Sequence, residues 1–441
     1  MSKRRKKIPE GTFETTIESL SHDGRGITHI DGKITFIRNA LPGEKVDFKY
    51  TAVHGSFNEA VATQILTASP QRIEPPCPHT DMCGGCCLQH LETNAQIEHK
   101  QQVILEMLQH FGNVIPQEIL PPLTSDNLGY RHKARLGVRV VTKKGGALVG
   151  FREQNGRYLA EINSCKILPE CISNNITNLR ELISSLQNAN TIPQIEVAVS
   201  HEQAALIIRH LQPLPILDLE KIIQFAKLHK FEIYLQPKGP DTVHKIWPTN
   251  NNARLSYALT DHNVKLQFHP SDFTQVNPAI NRKMINQAIE LLNPQADEQI
   301  LDLFCGLGNF TIPLAKYCDH IVGIEASKQM VERGYENAKF NNTQNANFYE
   351  FNLKEDFANC NWAKSYDKLL LDPPRSGAAE IIAKIKTFNP KKILYVSCNP
   401  ATFARDAGEL VNKHGYKLAK AGIMDMFPHT AHVETMGLFT R

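Results

Sequence analysis

The sequence predicts a multidomain protein: an N-terminal OB-like β-barrel, a central α+β domain and a C-terminal Rossmann-like α/β domain. Three observations carry this. Short strand-like segments between residues 11 and 68 are punctuated by Gly and Asp turns. Cys77, Cys83, Cys86 and Cys87 then crowd into one loop. After Leu266, strand-like runs alternate with helix-like runs, the sign of a parallel sheet.

The 441 residues, 41% hydrophobic and 21% charged, suit several soluble globular domains. No apolar run reaches the roughly 18 residues of a membrane span. Ser2–Lys7 is basic but leads into no apolar segment, so no secretory signal is read and a cytoplasmic protein is expected. Five basic residues at positions 3–7 exceed the net charge of +4, which places the charge asymmetry in a tail, residues 1–10. Such a tail either touches phosphate backbones or solubilises the chain. Ten cysteines are few for a disulfide scaffold of this length, and a reducing compartment disfavours disulfides.

Residues 11–68 hold candidate strands at Phe13–Leu20, Lys33–Arg38, Lys45–Val53 and Glu59–Leu66. Asp23-Gly24, Asp31-Gly32, Pro42-Gly43 and His54-Gly55 separate them, which predicts a small antiparallel barrel of OB type. Arg25, Lys33, Phe36, Arg38, Lys49 and Tyr50 could contact phosphates and stack on bases. Phe36 and Tyr50 could equally be core.

Residues 69–266 are expected to form the central domain. Ser69–Pro78 is a Pro-rich linker. Cys77-x5-Cys83-Gly84-Gly85-Cys86 reads as a metal-ligand loop, the glycines letting backbone fold closely around the thiols. A fourth ligand is needed. Cys87 is awkward, because neighbouring side chains diverge; Cys165, beside a candidate strand, suits better. Zinc is chemically plausible here. Residues 92–111 show helical periodicity (Ile97, Val103-Ile104, Met107-Leu108, Phe111) ended by Gly112, and this helix is expected to pack on the C-terminal domain. Strands are predicted at 136–141, 148–152, 194–199, 205–209, 231–236 and 265–268, with helices near 173–187 and 217–229. Tyr130–Arg135 is a basic-aromatic run, either an RNA contact or a solvated face.

Residues 267–441 form the predicted α/β domain. Strands are expected at Ile300–Phe304, His320–Ile324, Phe348–Phe351, Lys368–Leu371 and Ile393–Val396, with a helix at Thr311–Tyr317 and another at Ser327–Asn341 capped by Ser327. Glu325, Asn352, Asp372 and Cys398 each follow a strand end, and doubly wound sheets bind ligands there. Gly306-Leu307-Gly308 is a glycine turn, but Thr311 replaces the third glycine of a dinucleotide fingerprint. An acid about 20 residues on suits a ribose diol. Together these fit a class I S-adenosylmethionine methyltransferase. Cys398, at a strand end before Pro400, is placed to act as a nucleophile; the alternative is a buried cysteine packing as a small hydrophobe.

Two resemblances extend this reading. Gly24-Arg25-Gly26-Ile27, Asp31-Gly32-Lys33-Ile34 and Ala40-Leu41-Pro42-Gly43-Glu44 resemble the TRAM domain, an RNA-binding module. Phe273-Thr274-Gln275-Val276-Asn277-Pro278, Asp302–Phe310, Leu369–Gly377, Leu394–Thr402 and Asp425–Glu434 resemble, in order, the motifs of the RNA uracil-C5 methyltransferase family. With both the barrel and the four cysteines, the chain is most similar to the bacterial branch acting on 23S ribosomal RNA. That resemblance implies a [4Fe–4S] cluster on Cys77, Cys83, Cys86 and Cys165, and S-adenosylmethionine held by Gln275, Phe304, Asn309, Glu325, Asn352 and Asp372.

It also implies two catalytic residues. Uracil C5 is a poor nucleophile until a thiolate adds to C6, and Cys398 would be that thiolate. Glu434 would then remove the C5 proton so that elimination frees the enzyme. The implied substrate is 23S ribosomal RNA, free or pre-assembly, its target base turned out of the stack, with no membrane and no obligate protein partner. Two alternatives remain: methylation of transfer RNA or a different ribosomal uridine, or a redox-sensing RNA-binding protein.

Overall fold

The computed structural model describes residues 7–154, 156–249 and 254–441. Most of the expected basic tail, residues 1–6, lies outside them.

The first unit is a six-stranded sheet in the order Phe13–Thr16, Lys45–Val53, Phe57–Thr67, Lys33–Arg38, Gly26–Ile30, Ser19–Leu20. The two edges belong to one continuous segment, which closes the sheet. Ile17 N–H donates to Glu44 O (2.9 Å), and Glu18 N–H to Ile27 O (2.8 Å). Three register shifts between Lys45–Val53 and Phe57–Thr67 supply the curvature. Ile17, Ile37, Val46, Phe48 and Ala60 fill the barrel. Tyr50 is half-buried, edge-on to Phe48, and packs against this core. Phe36 is also half-buried, with the Arg25 guanidinium 4.4 Å above its ring.

The central unit holds a second six-stranded sheet: His244–Trp247, Phe231–Gln236, Ala204–Arg209, Gln194–Val199, Lys133–Val141, Gly146–Gly150. The parallel pair Ala204–Arg209 and Phe231–Gln236 is joined by the helix Ile216–His229. His244–Trp247, a short edge strand, had no clear periodicity in the sequence.

The third unit is an eight-stranded sheet. Its main strands are β1 (Gln299–Leu303), β2 (His320–Glu325), β3 (Ala346–Glu350), β4 (Lys368–Leu371), β5 (Lys392–Ser397), β6 (Lys417–Met424) and β7 (Glu434–Thr440). The order is β3-β2-β1-β4-β5-β7-β6, followed by the two-residue strand Glu118–Ile119. β1 to β5 are parallel; β7 runs antiparallel to β5 and β6. The order reverses between β1 and β4, so a crevice opens beyond their carboxyl ends.

The third unit reaches further back along the chain than residue 267. Leu255–Leu259 and Val264–Phe268 form an antiparallel hairpin spanning that boundary, and Leu255, Leu266 and Phe268 share a core with Ile300, Phe310 and Leu394. The boundary was hidden because the hairpin turn, Thr260–His262, is a polar 3-10 turn rather than a Gly or Pro break. The helix Thr93–Met107, continued by a wider turn at Leu108–Gly112, lies on this unit's other face: Ile104 and Leu108 pack with Leu301, Leu303 and Phe403. Gly112 meets Gly408 backbone to backbone there; a Cβ on Gly112 would sit 2.5 Å from Ala404 O, and one on Gly408 would sit 2.6 Å from Gly112 O. Among the described residues no helix is long and apolar enough to cross a membrane.

Candidate active site

Strand register builds the centre of the crevice. In the β5–β7 pair, Ser397 faces Thr435. The ladder ends there: Cys398 directly follows β5 and Glu434 opens β7, so the two lie at the same end of the strand pair and line one cavity. Beside them β4 ends at Leu371, paired with Tyr395 of β5, so Asp372 leaves the sheet on the same edge. Cys398 is then fixed from behind. Ser397 Oγ donates to Asn399 O and accepts from Asn399 N–H, each at 3.2 Å. The Asn399 side chain caps the helix Pro400–His414 by accepting from Ala401 N–H, and its Nδ2 donates to Arg375 O (2.9 Å). The loop after β4 and the loop after β5 are thereby one assembly.

The glycine turn lies on the far side. Phe304 (φ 67°), Gly306 (φ 56°) and Gly308 (φ 92°) take left-handed conformations. A Cβ on Gly308 would press within 3.0 Å of Ile312 and 3.3 Å of Phe348. Glu325 ends β2, with one carboxylate oxygen accepting from Gly306 N–H (3.2 Å) and the other from Ser327 N–H (2.9 Å). Each oxygen keeps a lone pair for an incoming hydroxyl. Asn309 Oδ1 accepts from Tyr257 OH (2.8 Å) and Asn281 Nδ2 (3.1 Å).

One cavity of about 600 Å³ is lined by Gln275, Phe304, Asn309, Glu325, Asn352, Asp372, Cys398 and Glu434 together. The sequence singled out all eight. It missed Tyr257, Phe273 and Arg375, which also line the cavity. Arg375 stood in a quoted motif, where its charge was a usable signal; Tyr257, in the unexpected hairpin, gave none.

Electrostatics make the cavity a poor place for negative charge. Burial, joined by the neighbouring Asp372, pushes the Glu434 carboxyl up to about 8, against a smaller opposing effect of Arg375. Burial pushes Asp372 up to about 7. Asp302, fully buried under the glycine turn with Thr311 Oγ1 donating to it at 2.6 Å, is pushed up to about 8 by burial. Cys398 rises to about 11, from burial and then from Glu434 and Asp372.

The four cysteines form a second site. Cys77, Cys83, Cys86 and Cys165 line one small pocket with apolar walls from Phe151, Ile162 and Ile167; Cys87 lies outside it. A Cβ on Gly84 would meet the backbone of Arg152, Glu153 and Gln154 at 3.1–3.2 Å, so the loop's close approach does need glycine. The sulfurs are not drawn to ligand spacing: among the described residues no three His, Cys, Asp or Glu side chains converge as a metal site. As a donor set, four thiols in an apolar pocket suit a soft metal or an iron–sulfur cluster.

A doubly wound sheet with a glycine turn, an acid ending β2 and a polar crevice beyond β4 defines a class I methyltransferase fold. The tRNA (Uracil-5-)-methyltransferase family matches residues 92–441, and the TRAM domain matches residues 11–62. The chain belongs to this uracil-C5 methyltransferase family. It is 52% identical to the 23S rRNA (uracil(1939)-C(5))-methyltransferase RlmD of Hahella chejuensis, over all of both chains. It is 50% identical to the RlmD of Alcanivorax borkumensis, over all of this chain and 99% of that one. In fold it resembles the Pyrococcus abyssi tRNA (uracil-54, C5)-methyltransferase solved with S-adenosyl-L-homocysteine (TM-score 0.74, 23% identity, covering 97% of this chain and all of that one).

The raised carboxyls have a stability consequence. Above the ordinary carboxylate range, the folded chain holds protons that the unfolded chain has lost, on Asp372 up to about 7 and on Asp302 and Glu434 up to about 8. Folding stability from these groups is therefore full at low pH and is lost as pH rises through 8. The melting temperature of ligand-free protein should fall between pH 6 and pH 9, and Glu434→Gln should flatten that fall. Equal slopes for the two proteins would contradict the buried, protonated Glu434.

Proposed function

We propose that the chain transfers a methyl group from S-adenosylmethionine to C5 of a uridine in 23S ribosomal RNA. The uridine is the one in its relatives' names, uracil 1939, and the substrate is free or pre-assembly RNA in the cytoplasm. The observation that carries this is the β5–β7 pairing, which brings Cys398 and Glu434 to one end of the strands, in a cavity that the glycine turn also lines.

The residues divide the work. Glu325, with both oxygens steered by backbone N–H groups, suits the ribose hydroxyls; Phe304, Asn309, Asn352 and Gln275 wall the same side. The bound cofactor would supply an electrophilic methyl group, and Asp372 lines the cavity that would hold it. Cys398 adds as thiolate to C6 of the extruded uracil, so that the electron pair of the C5–C6 bond becomes available at C5. Methyl transfer to C5 would leave the cofactor as a neutral thioether. Glu434 as carboxylate then removes the C5 proton, the C5–H electron pair re-forms the C5–C6 double bond, and the C6–S bond breaks to return Cys398 as thiolate. Glu434 has to be ionised for this step, and its raised proton affinity then makes it a stronger base than an exposed carboxylate. Phe36 with Arg25 on the barrel, and the exposed Arg135, suit the flanking RNA, whereas Tyr130 and Ala134 of the Tyr130–Arg135 run are buried.

Cys77, Cys83, Cys86 and Cys165 are the residues that would hold a [4Fe–4S] cluster. It would tie the 77–87 loop to the central domain and leaves the methyl transfer to the residues above. Methylation of transfer RNA is the alternative, and relatives 48–52% identical over the whole chain favour ribosomal RNA.

With labelled cofactor, unmodified 23S RNA should be methylated and transfer RNA left unlabelled. Cys398→Ala should lose more than about a thousandfold in rate yet bind cofactor as the native protein does. Labelled transfer RNA, or near-native turnover without Cys398, would overturn the substrate or the nucleophile respectively. Protein purified without oxygen should be brown and carry iron and acid-labile sulfide, and Cys165→Ser should bleach it. A colourless, zinc-loaded preparation contradicts the cluster.

A further inference from the structure

Glu434 begins β7, and the loop Asp425–Val433 delivers the chain to it. That loop is held from outside its own domain. Lys100, on the helix Thr93–Met107, is buried to 1% exposure; its Nζ donates to Asp425 Oδ1 at 2.7 Å and to Phe427 O at 3.0 Å. Gln96, one turn earlier on the same helix, accepts from His429 N–H (2.9 Å) through Oε1, and its Nε2 meets the His429 ring at 3.3 Å. His429 sits at φ 65°, a left-handed conformation that a non-glycine residue keeps only where its surroundings fix it.

Both walls of the four-cysteine pocket reach this loop. On one side, Cys87 and Leu88, directly after Cys86, donate their N–H groups to His429 O, each at 3.0 Å. On the other, Gly129 and Arg131 N–H groups donate to Lys166 O and Ile167 O beside Cys165, and Tyr130 between them donates its hydroxyl to Pro428 O at 3.0 Å. Hydrogen bonds thus join both walls of the pocket to Pro428 and His429, six and five residues from the carboxylate.

We propose that the four-cysteine loop and the Thr93–Met107 helix together clamp Asp425–Val433, and that Lys100 is the positioning residue that sets Glu434 for proton removal. This rests on the reading of Glu434 as the base. The four-cysteine pocket thereby acts on a defined half of the reaction. Loosening the clamp leaves cofactor binding and Cys398 addition in place and slows only the release of the adduct.

The test uses the full-length protein with Lys100→Met, and with Lys100→Met plus Asp425→Leu, which leaves no unpaired buried charge if the single variant fails to fold. Glu434→Gln is the reference. The expected result is native cofactor affinity, methylation slower by about tenfold to a hundredfold, and a denaturant-resistant protein–RNA adduct like that of Glu434→Gln. Hydrogen exchange across residues 425–433 should quicken. Native turnover, or slow turnover with no adduct while Glu434→Gln forms one, overturns the inference. If Glu434→Gln itself forms no adduct, the base reading fails instead. Exchange then decides the clamp: faster exchange at 425–433 supports it and unchanged exchange overturns it.

Discussion

The structure depends on one register. β5 and β7 pair so that Ser397 faces Thr435, and this brings Cys398, just after β5, and Glu434, at the start of β7, into one cavity. A slip of one residue would turn both side chains to opposite faces of the sheet. Much of the third unit maintains that register. Asn399 caps the helix after β5 and grips the loop after β4. Gly437 in β7 has no room for a Cβ, which would fall 2.6 Å from the Phe403 ring, so that helix lies tight on the strand pair. Bringing a thiol and two carboxyls together in a buried crevice raises their proton affinity, and Arg375 offsets only part of the rise at Cys398 and Glu434. Burial thus disfavours the charged forms of Cys398, Asp372 and Glu434 in this crevice.

The remaining units work around that centre. The barrel offers Phe36 under Arg25, and its Asp23-Gly24 turn abuts Leu88 and lies near Ala431; a Cβ on Gly24 would fall 2.8 Å from Leu88 Cδ2 and 3.7 Å from Ala431. The RNA-binding module, the cysteine loop and the catalytic loop thus meet at one junction. Arg72 binds Glu44 through two N–H groups, at 2.5 and 2.8 Å, which fastens the linker to the barrel.

Much of the site was legible in the sequence because its chemistry sits in short contiguous motifs. A glycine turn, an acid after a strand and a cysteine before a proline each announce themselves within ten residues. Strand ends in the α/β unit were legible for the same reason, being buried apolar runs cut by polar turns. What stayed hidden is what the chain closes over distance. Lys100 reads as a solvated charge on a helix, and only folding brings Asp425, 325 positions later, to neutralise it. Tyr257 belongs to a hairpin whose turn lacks glycine, so neither the hairpin nor its hydroxyl on Asn309 could be anticipated. The two-residue strand Glu118–Ile119 is too short for any periodicity and exists because β6 offers a free edge.

The most direct test of the central claim is where the chain attaches to RNA. A 23S RNA fragment carrying 5-fluorouridine at the target gives Glu434 no proton to remove at C5, so the adduct cannot resolve. Digestion and mass spectrometry of the denatured complex should find the nucleotide, methylated, on the peptide containing Cys398. Attachment at any other residue, or no covalent complex with cofactor bound, would contradict the account.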